Sequence, residues 1–341
     1  MLGKHALPAA LLGAITLRLL FPPHARAQPS SPFAPASPEA SAIAQLFLIT
    51  LGIAGVIFLL VQGLLLYMVA RFRARPGAGA PRPVFGYRPL EIGWTVGPAL
   101  LLAGVFGLML PLMGSDPGAA DRVPSPPAEA LAVTVIGHQW WWELRYPTLD
   151  VVTANELHIP VGEPVRVRLE SADVIHSFWL PRLGGKLDVI PGRTNQLWLY
   201  TEAPGVYLGP CAEFCGLQHA WMLLRVIAQP RADFLAWAAQ QRQPAAPPSG
   251  AAQRGQQLFL EQTCVNCHTL RGTPAQGTVG PDLTHVGSRQ TLGAGVLENT
   301  PANMYRWLQD PQAVKPGSLM PTFYLSDADT AALAAYLAGL K

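Results

Sequence analysis

The chain has 341 residues, half of them hydrophobic and only 13% charged, a balance too apolar for a disordered polymer and suggestive of membrane segments. Its formal net charge of +3 equals the contribution of Lys4, Arg18 and Arg26 near the N-terminus, so the remainder is neutral and carries no nucleic-acid footprint.

Residues 1–27 read as a secretory signal. Lys4 gives the charged start, Leu7 to Leu20 is mostly apolar, and Ala25-Arg26-Ala27 sets small residues at the −3 and −1 positions. Arg18 interrupts the apolar run; the alternative is a third membrane helix, for which the uncharged stretch is short. Segment 28–115 then holds a two-helix hairpin. Ala42 to Ala70 and Ile92 to Ser115 are free of charge, and each exceeds the roughly 20 residues needed to cross a bilayer core. The spans are expected at about 42–70 and 92–113. Arg71, Arg73, Arg75, Arg82 and Arg88 fill the loop between them, whereas 28–41 has neither Lys nor Arg. The positive-inside bias therefore puts the loop in the cytoplasm and both ends of the chain outside a bacterial inner membrane, on its periplasmic side.

After a Pro/Ala/Gly-rich connector over 116–130, the pattern turns to short strands. Val165, Val167 and Leu169 alternate with Arg166, Arg168 and Glu170, the signature of a half-buried strand. Leu131 to Ile136, Asn195 to Thr201 and Met222 to Ala228 read similarly, and His138 and His158 are taken as ordinary strand histidines. Segment 116–242, closing on a short helix near Phe234 to Gln243, is expected to be an all-β sandwich. The Pro-rich run 243–250 is a linker. Segment 251–341 reads as all-α, with helices at 251–263, 302–309 and 327–339, the last capped by Ser326-Asp-Ala-Asp329.

The four cysteines form two close pairs, Cys211/Cys215 and Cys264/Cys267, so metal or cofactor attachment is favoured over a disulfide. Cys211-Ala-Glu-Phe-Cys-Gly-Leu-Gln-His-Ala-Trp-Met222 gathers two thiols, an imidazole and a thioether, and His176 lies upstream. That soft donor set suits copper. Taken alone, two cysteines four apart are equally a redox pair or a copper-chaperone site. With the histidines and Met222, they can bridge two copper ions, His176 and His219 terminating one each, and Met222 and the Glu213 carbonyl acting as weaker axial ligands.

Cys264-Val-Asn-Cys-His268 is a haem c attachment pattern: two thioethers and a proximal histidine. A zinc site would need a second ligand pair, and a thioredoxin-like site a βαβ setting. Downstream candidates for the sixth iron ligand are Met304, Met320 and His285; Met320 sits in a Met-Pro loop, and Met304 beside Tyr305 and Trp307 reads as core. His/Met ligation leaves iron no open position, so the haem would carry electrons.

Together with Gly137-His-Gln-Trp-Trp-Trp142, Asp173-Val-Ile-His-Ser-Phe-Trp179 and Lys186-Leu-Asp-Val-Ile-Pro-Gly-Arg-Thr-Asn195, the thiol motif resembles the copper-binding subunit II of cytochrome c oxidases over roughly 42–230. Segment 251–341 resembles class I cytochromes c, and the fusion resembles the caa3-type arrangement. The resemblance implies a cupredoxin-like sandwich with a dinuclear copper A centre. It also gives the Glu213 carboxylate a Mg²⁺ ion shared with subunit I, makes Trp140 an exposed tryptophan where electrons arrive from cytochrome c, and sets Glu91 at the mouth of a proton pathway. Met320 becomes the sixth iron ligand, with Gly280-Pro-Asp-Leu283 packed beside the haem. Implied partners are subunits I and III, a soluble or membrane cytochrome c donor, and membrane lipid. The implied activity is electron delivery through haem c and copper to subunit I, where oxygen is reduced to water and protons are pumped. The alternative is the electron-input subunit of a copper A-containing nitric oxide reductase. Nitrous oxide reductase is disfavoured because a second multi-histidine copper domain is missing, a quinol-oxidising subunit because the copper ligands are intact, and a copper-delivery protein because it needs neither Met222 nor the haem segment. Residues 116–250 carry a net charge of −3, which would attract a basic donor modestly.

Overall fold

The structure, a computed structural model, describes residues 30–73, 85–113, 129–250 and 252–341, with the isolated positions 77, 79 and 83. The signal reading of 1–27, most of the 116–130 connector, and Arg75 and Arg82 of the loop lie outside the described residues.

Helix α1 spans Pro38–Phe72. Ser37 caps it by accepting from the Ala40 amide at 3.0 Å, Pro38 needs no amide partner in the first turn, and Glu39 faces the positive end of the helix dipole. Helix α2 spans Arg88–Met113. Both are long enough to cross a bilayer, and their apolar stretches are left uncovered by the rest of the chain. An apolar stretch left uncovered needs an apolar solvent, and lipid provides it. The outer end of α1 is fastened to the β region. The Ala36 amide donates to Arg182 O at 2.7 Å, Ser37 Oγ to Leu183 O at 2.6 Å, and the Gly185 amide to Glu39 Oε1 at 3.0 Å.

The sandwich runs through ten strands: β1 Ala132–His138, β2 Trp141–Tyr146, β3 Val151–Ala154, β4 Glu156–Pro160, β5 Val165–Ser171, β6 His176–Phe178, β7 Leu187–Val189, β8 Asn195–Leu199, β9 Gly205–Pro210 and β10 Leu223–Gln229. One sheet has the order β3-β2-β1-β5-β8, a second β4-β10-β9, and β6-β7 forms a ribbon. β1 and β5 run parallel, Val133 opposite Val167 and Val135 opposite Leu169, so the inward side chains of both strands share one face. Val165, Val167 and Leu169 are fully buried there, as the alternation predicts. From the facing sheet come Leu157, Ile159, Leu224 and Val226. Each such side chain contributes roughly 1.5–3 kcal/mol by leaving water. Helix α3, Arg231–Gln241, closes this core with Phe234, and Trp237 packs against it.

The linker does not run free. The Ala245 amide donates to Arg271 O at 2.9 Å, and Gln243 O lies 3.1 Å from His285 Nε2. The C-terminal unit consists of α4 Ala252–Glu261, α5 Cys264–Cys267, a two-strand ribbon β11 Thr291–Leu292 and β12 Leu297–Glu298, α6 Pro301–Gln309, α7 Pro311–Val314 and α8 Asp327–Gly339. Ser326 Oγ caps α8 by accepting the Asp329 amide at 3.1 Å. Helices α4 and α8 cross at Gly255, where any Cβ would stand 2.1 Å from Ala332 O. Phe259 and Tyr336 meet edge to face at 6.3 Å over this crossing.

Candidate copper and haem centres

Two segments of the sandwich meet at one end. The β6 ribbon delivers His176, fully buried, and the segment between β9 and β10 delivers the rest. Cys211 Sγ lies 3.9 Å from Cys215 Sγ, Cys215 Sγ 3.7 Å from His219 Nδ1, and Cys215 Sγ 3.9 Å from Met222 Sδ. The Glu213 carbonyl oxygen is 3.3 Å from Cys211 Sγ. The donor atoms of His176, Cys211 and Cys215 all fall within 4.8 Å of one another. All six positions anticipated from the motif are thus brought to one place, with the main chain of Glu213 rather than its side chain facing the sulfurs.

His176 is oriented by Asp173, whose Oδ1 lies 2.8 Å from Nε2. Its Nδ1 is shut from solvent with no hydrogen-bond partner, and a ring nitrogen of His176 lies within 4.8 Å of both thiols. Gly137 makes room for the ring, since a Cβ there would stand 2.6 Å from His176 Cδ2. Cys215 donates to Cys211 and, with His176 adding to the effect, holds the Cys211 thiol far below its ordinary range; the same contact pushes Cys215 upward. Two thiolates this close ionise together only against positive charge. A buried orphan imidazole nitrogen, a thiol pair that needs cations and a buried thioether fit a soft dinuclear metal site.

The Glu213 carboxylate points elsewhere, lying 3.6 Å from Lys186 Nζ. Glu91 is exposed at the start of α2, where its Oε1 accepts the Tyr87 amide at 3.1 Å and so caps the helix.

In the helical unit, α5 presents Cys264 and Cys267, and His268 follows at its end. His268 Nδ1 bonds Pro281 O at 2.8 Å, which fixes the ring and leaves Nε2 for another partner. Burial lowers the histidine's proton affinity, keeping it neutral as a ligand. At Gly280 a Cβ would come 2.5 Å from His268 Cε1, so only glycine lets this loop lie on the ring. A cavity of about 310 Å³ opens here, walled by Cys264, Cys267, His268, Pro281 and Met320. Met304 also reaches it from α6 but is buried in the helical core. His285 is not in its wall; its Nε2 faces the linker carbonyl of Gln243. Two thiols, one oriented imidazole and one thioether around an apolar cavity fit a covalently held haem.

Trp140 departs from the expectation of an exposed tryptophan: only 9% of it is accessible. Residues of the C-terminal unit pack around it, and it stands in the wall of the cavity that holds Cys264, Cys267 and His268. Its Nε1 donates to Cys215 O at 2.9 Å, as does Gln139 Nε2 at 2.8 Å. Gly216, with φ +115°, lets the chain turn close over the indole, where a Cβ would sit 3.0 Å from Cζ2. The sequence reading missed Asp173 and Gln139 as supports. Both stood inside recognised strings, Asp173 in 173–179 and Gln139 in 137–142, but nothing in the residues themselves marked their supporting contacts.

Comparison with known proteins agrees with these observations. Residues 32–110 match the family described as cytochrome C oxidase subunit II, transmembrane domain; 148–229 match its periplasmic domain; and 252–341 match cytochrome c. Cytochrome c oxidase subunit 2 of Alkalihalophilus pseudofirmus is 37% identical over 313 residues, covering 90% of this chain and 90% of that protein. The protein of the same name from Bacillus subtilis is 36% identical, covering 81% of this chain and 82% of its own length. Among solved structures, the periplasmic domain of subunit II of cytochrome oxidase of Bradyrhizobium japonicum is 32% identical, covering 34% of this chain and 96% of that one, with a TM-score of 0.33.

Proposed function

This chain belongs to the cytochrome c oxidase subunit II family and carries a fused cytochrome c domain, and from that premise we propose that it takes electrons from a cytochrome c donor and delivers them to the oxygen-reducing subunit I of a proton-pumping oxidase. Membership makes it part of an oxidoreductase complex of the haem-copper class, with two apolar helices for anchoring and a periplasmic-type sandwich. The finer assignments are our reading. His176, Cys211, Cys215, His219, Met222 and the Glu213 carbonyl are proposed to hold two copper ions. Cys264 and Cys267 would tether haem c, with His268 and Met320 as its axial ligands. The division into 28–115, 116–242, 243–250 and 251–341 is likewise proposed, as is a bacterial inner-membrane location.

Copper and haem, when bound, supply one-electron carriage. The residues around them orient and exclude. Asp173 and the Pro281 carbonyl fix the two imidazoles, and the sandwich core holds the thiol loop rigid. Trp140, buried in the cavity wall, would keep water from the space between the two sites. Glu213 is proposed to meet Mg²⁺ at the boundary with subunit I by exchanging its Lys186 partner for the ion. Glu91 would serve proton uptake from the membrane edge in addition to capping α2.

The observation that carries this reading is the position of Trp140: it lines the cavity of the Cys-x-x-Cys-His motif and bonds the carbonyl of a copper-motif cysteine. The test is metal and haem analysis of the full chain purified from membranes with its partners. Two coppers and one haem per chain, co-purifying with a haem-copper catalytic subunit that consumes oxygen, are expected. Zinc in place of copper, or no covalent haem, would overturn it.

A further inference from the structure

The two candidate centres share a wall, and side chains that are not among the proposed copper or haem ligands hold that wall together. Lys315 follows α7 and is 3% exposed. Its Nζ donates to Trp140 O at 2.9 Å, Trp221 O at 2.9 Å and Gly293 O at 3.1 Å. An ammonium has three N–H donors, so each is used. Two of these carbonyls belong to the sandwich: Trp140 touches the Cys215 loop, and Trp221 immediately precedes Met222. The third belongs to the helical unit. One side chain from the C-terminal unit thus fastens both neighbours of the thiol cluster to a loop of its own unit.

A second tie stands at the base of β4. The Glu156 carboxylate, 2% exposed, accepts from the Gln290 amide at 2.9 Å, the Thr291 amide at 2.9 Å and Thr291 Oγ1 at 3.0 Å. Between the two ties, the Leu223 amide donates to Ala294 O at 3.0 Å. Charge-assisted hydrogen bonds out of water are the strong class, and here they come in threes. The covalent linker alone would give only a millimolar-range local concentration, with the helical unit docking and leaving. These ties instead specify one docked arrangement.

We infer that Lys315 and Glu156 are positioning residues for the internal electron step: they clamp segment 290–295 onto the sandwich so that the Trp140 indole stays wedged between the haem cavity and the thiol loop. The inference rests on the copper and haem reading above. Electron tunnelling weakens steeply with separation, so a clamp that holds the gap closed sets the rate even though it supplies no ligand to either centre; Lys315 itself borders the cavity.

The test uses the full chain loaded with copper and haem, comparing the unsubstituted protein with Lys315→Met and Glu156→Ala. Each variant is expected to keep its copper and haem content and unshifted spectra. Pulsed EPR should show a broadened haem-to-copper distance distribution, and transfer after photoreduction of the haem should slow at least tenfold. Unchanged distance and rate in both variants would overturn the inference while leaving the electron-path reading intact. No internal transfer in the unsubstituted protein would remove that reading and the inference with it. Should Lys315→Met lose copper, Glu156→Ala, which touches no ligand loop, decides; loss of cofactor from both makes the pair folding elements and counts against the clamp.

Discussion

Trp140 and Cys215 are joined by a 2.9 Å hydrogen bond from the indole nitrogen to the backbone carbonyl. The same indole is covered by the C-terminal unit, so a soluble donor cannot reach it directly. On the proposed electron path, the donor would then dock on the helical unit and Trp140 would face an internal partner.

Replacing Trp140 by Phe keeps an aromatic ring but removes the N–H donor. The expected outcome is unchanged copper and haem content with internal transfer slowed several-fold. Flash photolysis of the loaded chain measures this; an unaltered rate would show that the indole contact does not matter.

Cys211→Ser removes one sulfur of a pair 3.9 Å apart. Copper absorption should vanish while haem c remains attached, because Cys264 packs against a separate core and Cys267 lines the cavity beside it. Atomic absorption and the alkaline pyridine spectrum of the haem give the two counts. Loss of haem along with copper would mean that the two cores do not form independently.

Gly137→Ala pushes a methyl into the His176 ring, which lies 2.6 Å from the added carbon. Overpacking of this kind costs about 1–3 kcal/mol. Because the ring must move, copper affinity should fall as well, whereas haem content should not. Copper titration and thermal melting of the same sample separate the two effects.

Met320→Ala should leave haem attached through Cys264 and Cys267 but lower its reduction potential, since a thioether ligand raises it. Potentiometric titration reads the shift directly. A potential equal to the parent's would point to Met304 as the ligand, the other methionine of the cavity wall.

His158 stacks on Trp237 with ring centroids 4.0 Å apart, and burial drives its pKa from the ordinary 6.5 down to about 3. The unfolded chain therefore takes a proton near pH 6.5 that the folded chain refuses until about pH 3. Its contribution to stability is intact above pH 6.5 and is lost as pH falls through that window, by at most about 1.4 kcal/mol per pH unit. His158→Phe preserves the stack and removes this loss. The difference in thermal midpoint between pH 7 and pH 5 should be smaller in the variant than in the parent.

The elements with a period were legible from the residues alone. Val165, Val167 and Leu169 announced an inward face, the uncharged runs announced the membrane helices, and Ser326 with Asp329 announced the cap of α8. The thiol motif was legible because its ligands are close in sequence, with His176 found through its surrounding string. What stayed hidden was long-range. Nothing near residue 315 signals that its ammonium will reach carbonyls at positions 140 and 221, and nothing near Trp140 says that another part of the chain will cover it. His158 read as an ordinary strand residue, yet its stacking partner, Trp237, comes from a helix some eighty positions later. Contacts between units leave no periodicity, because each is made by single side chains at unrelated points of the chain.

The fastening of Ala36, Ser37 and Glu39 to positions 182–185 makes the outer tip of α1 continuous with the sandwich. An α-helix advances 1.5 Å and turns by roughly 100° with each residue. Deleting one residue from the span would thus swing the whole extramembrane body around the helix axis, far more than it would lower it. The number of residues in α1 is thereby constrained by azimuth as well as by length, and the direction in which the thiol loop faces is written partly into the length of an apolar helix.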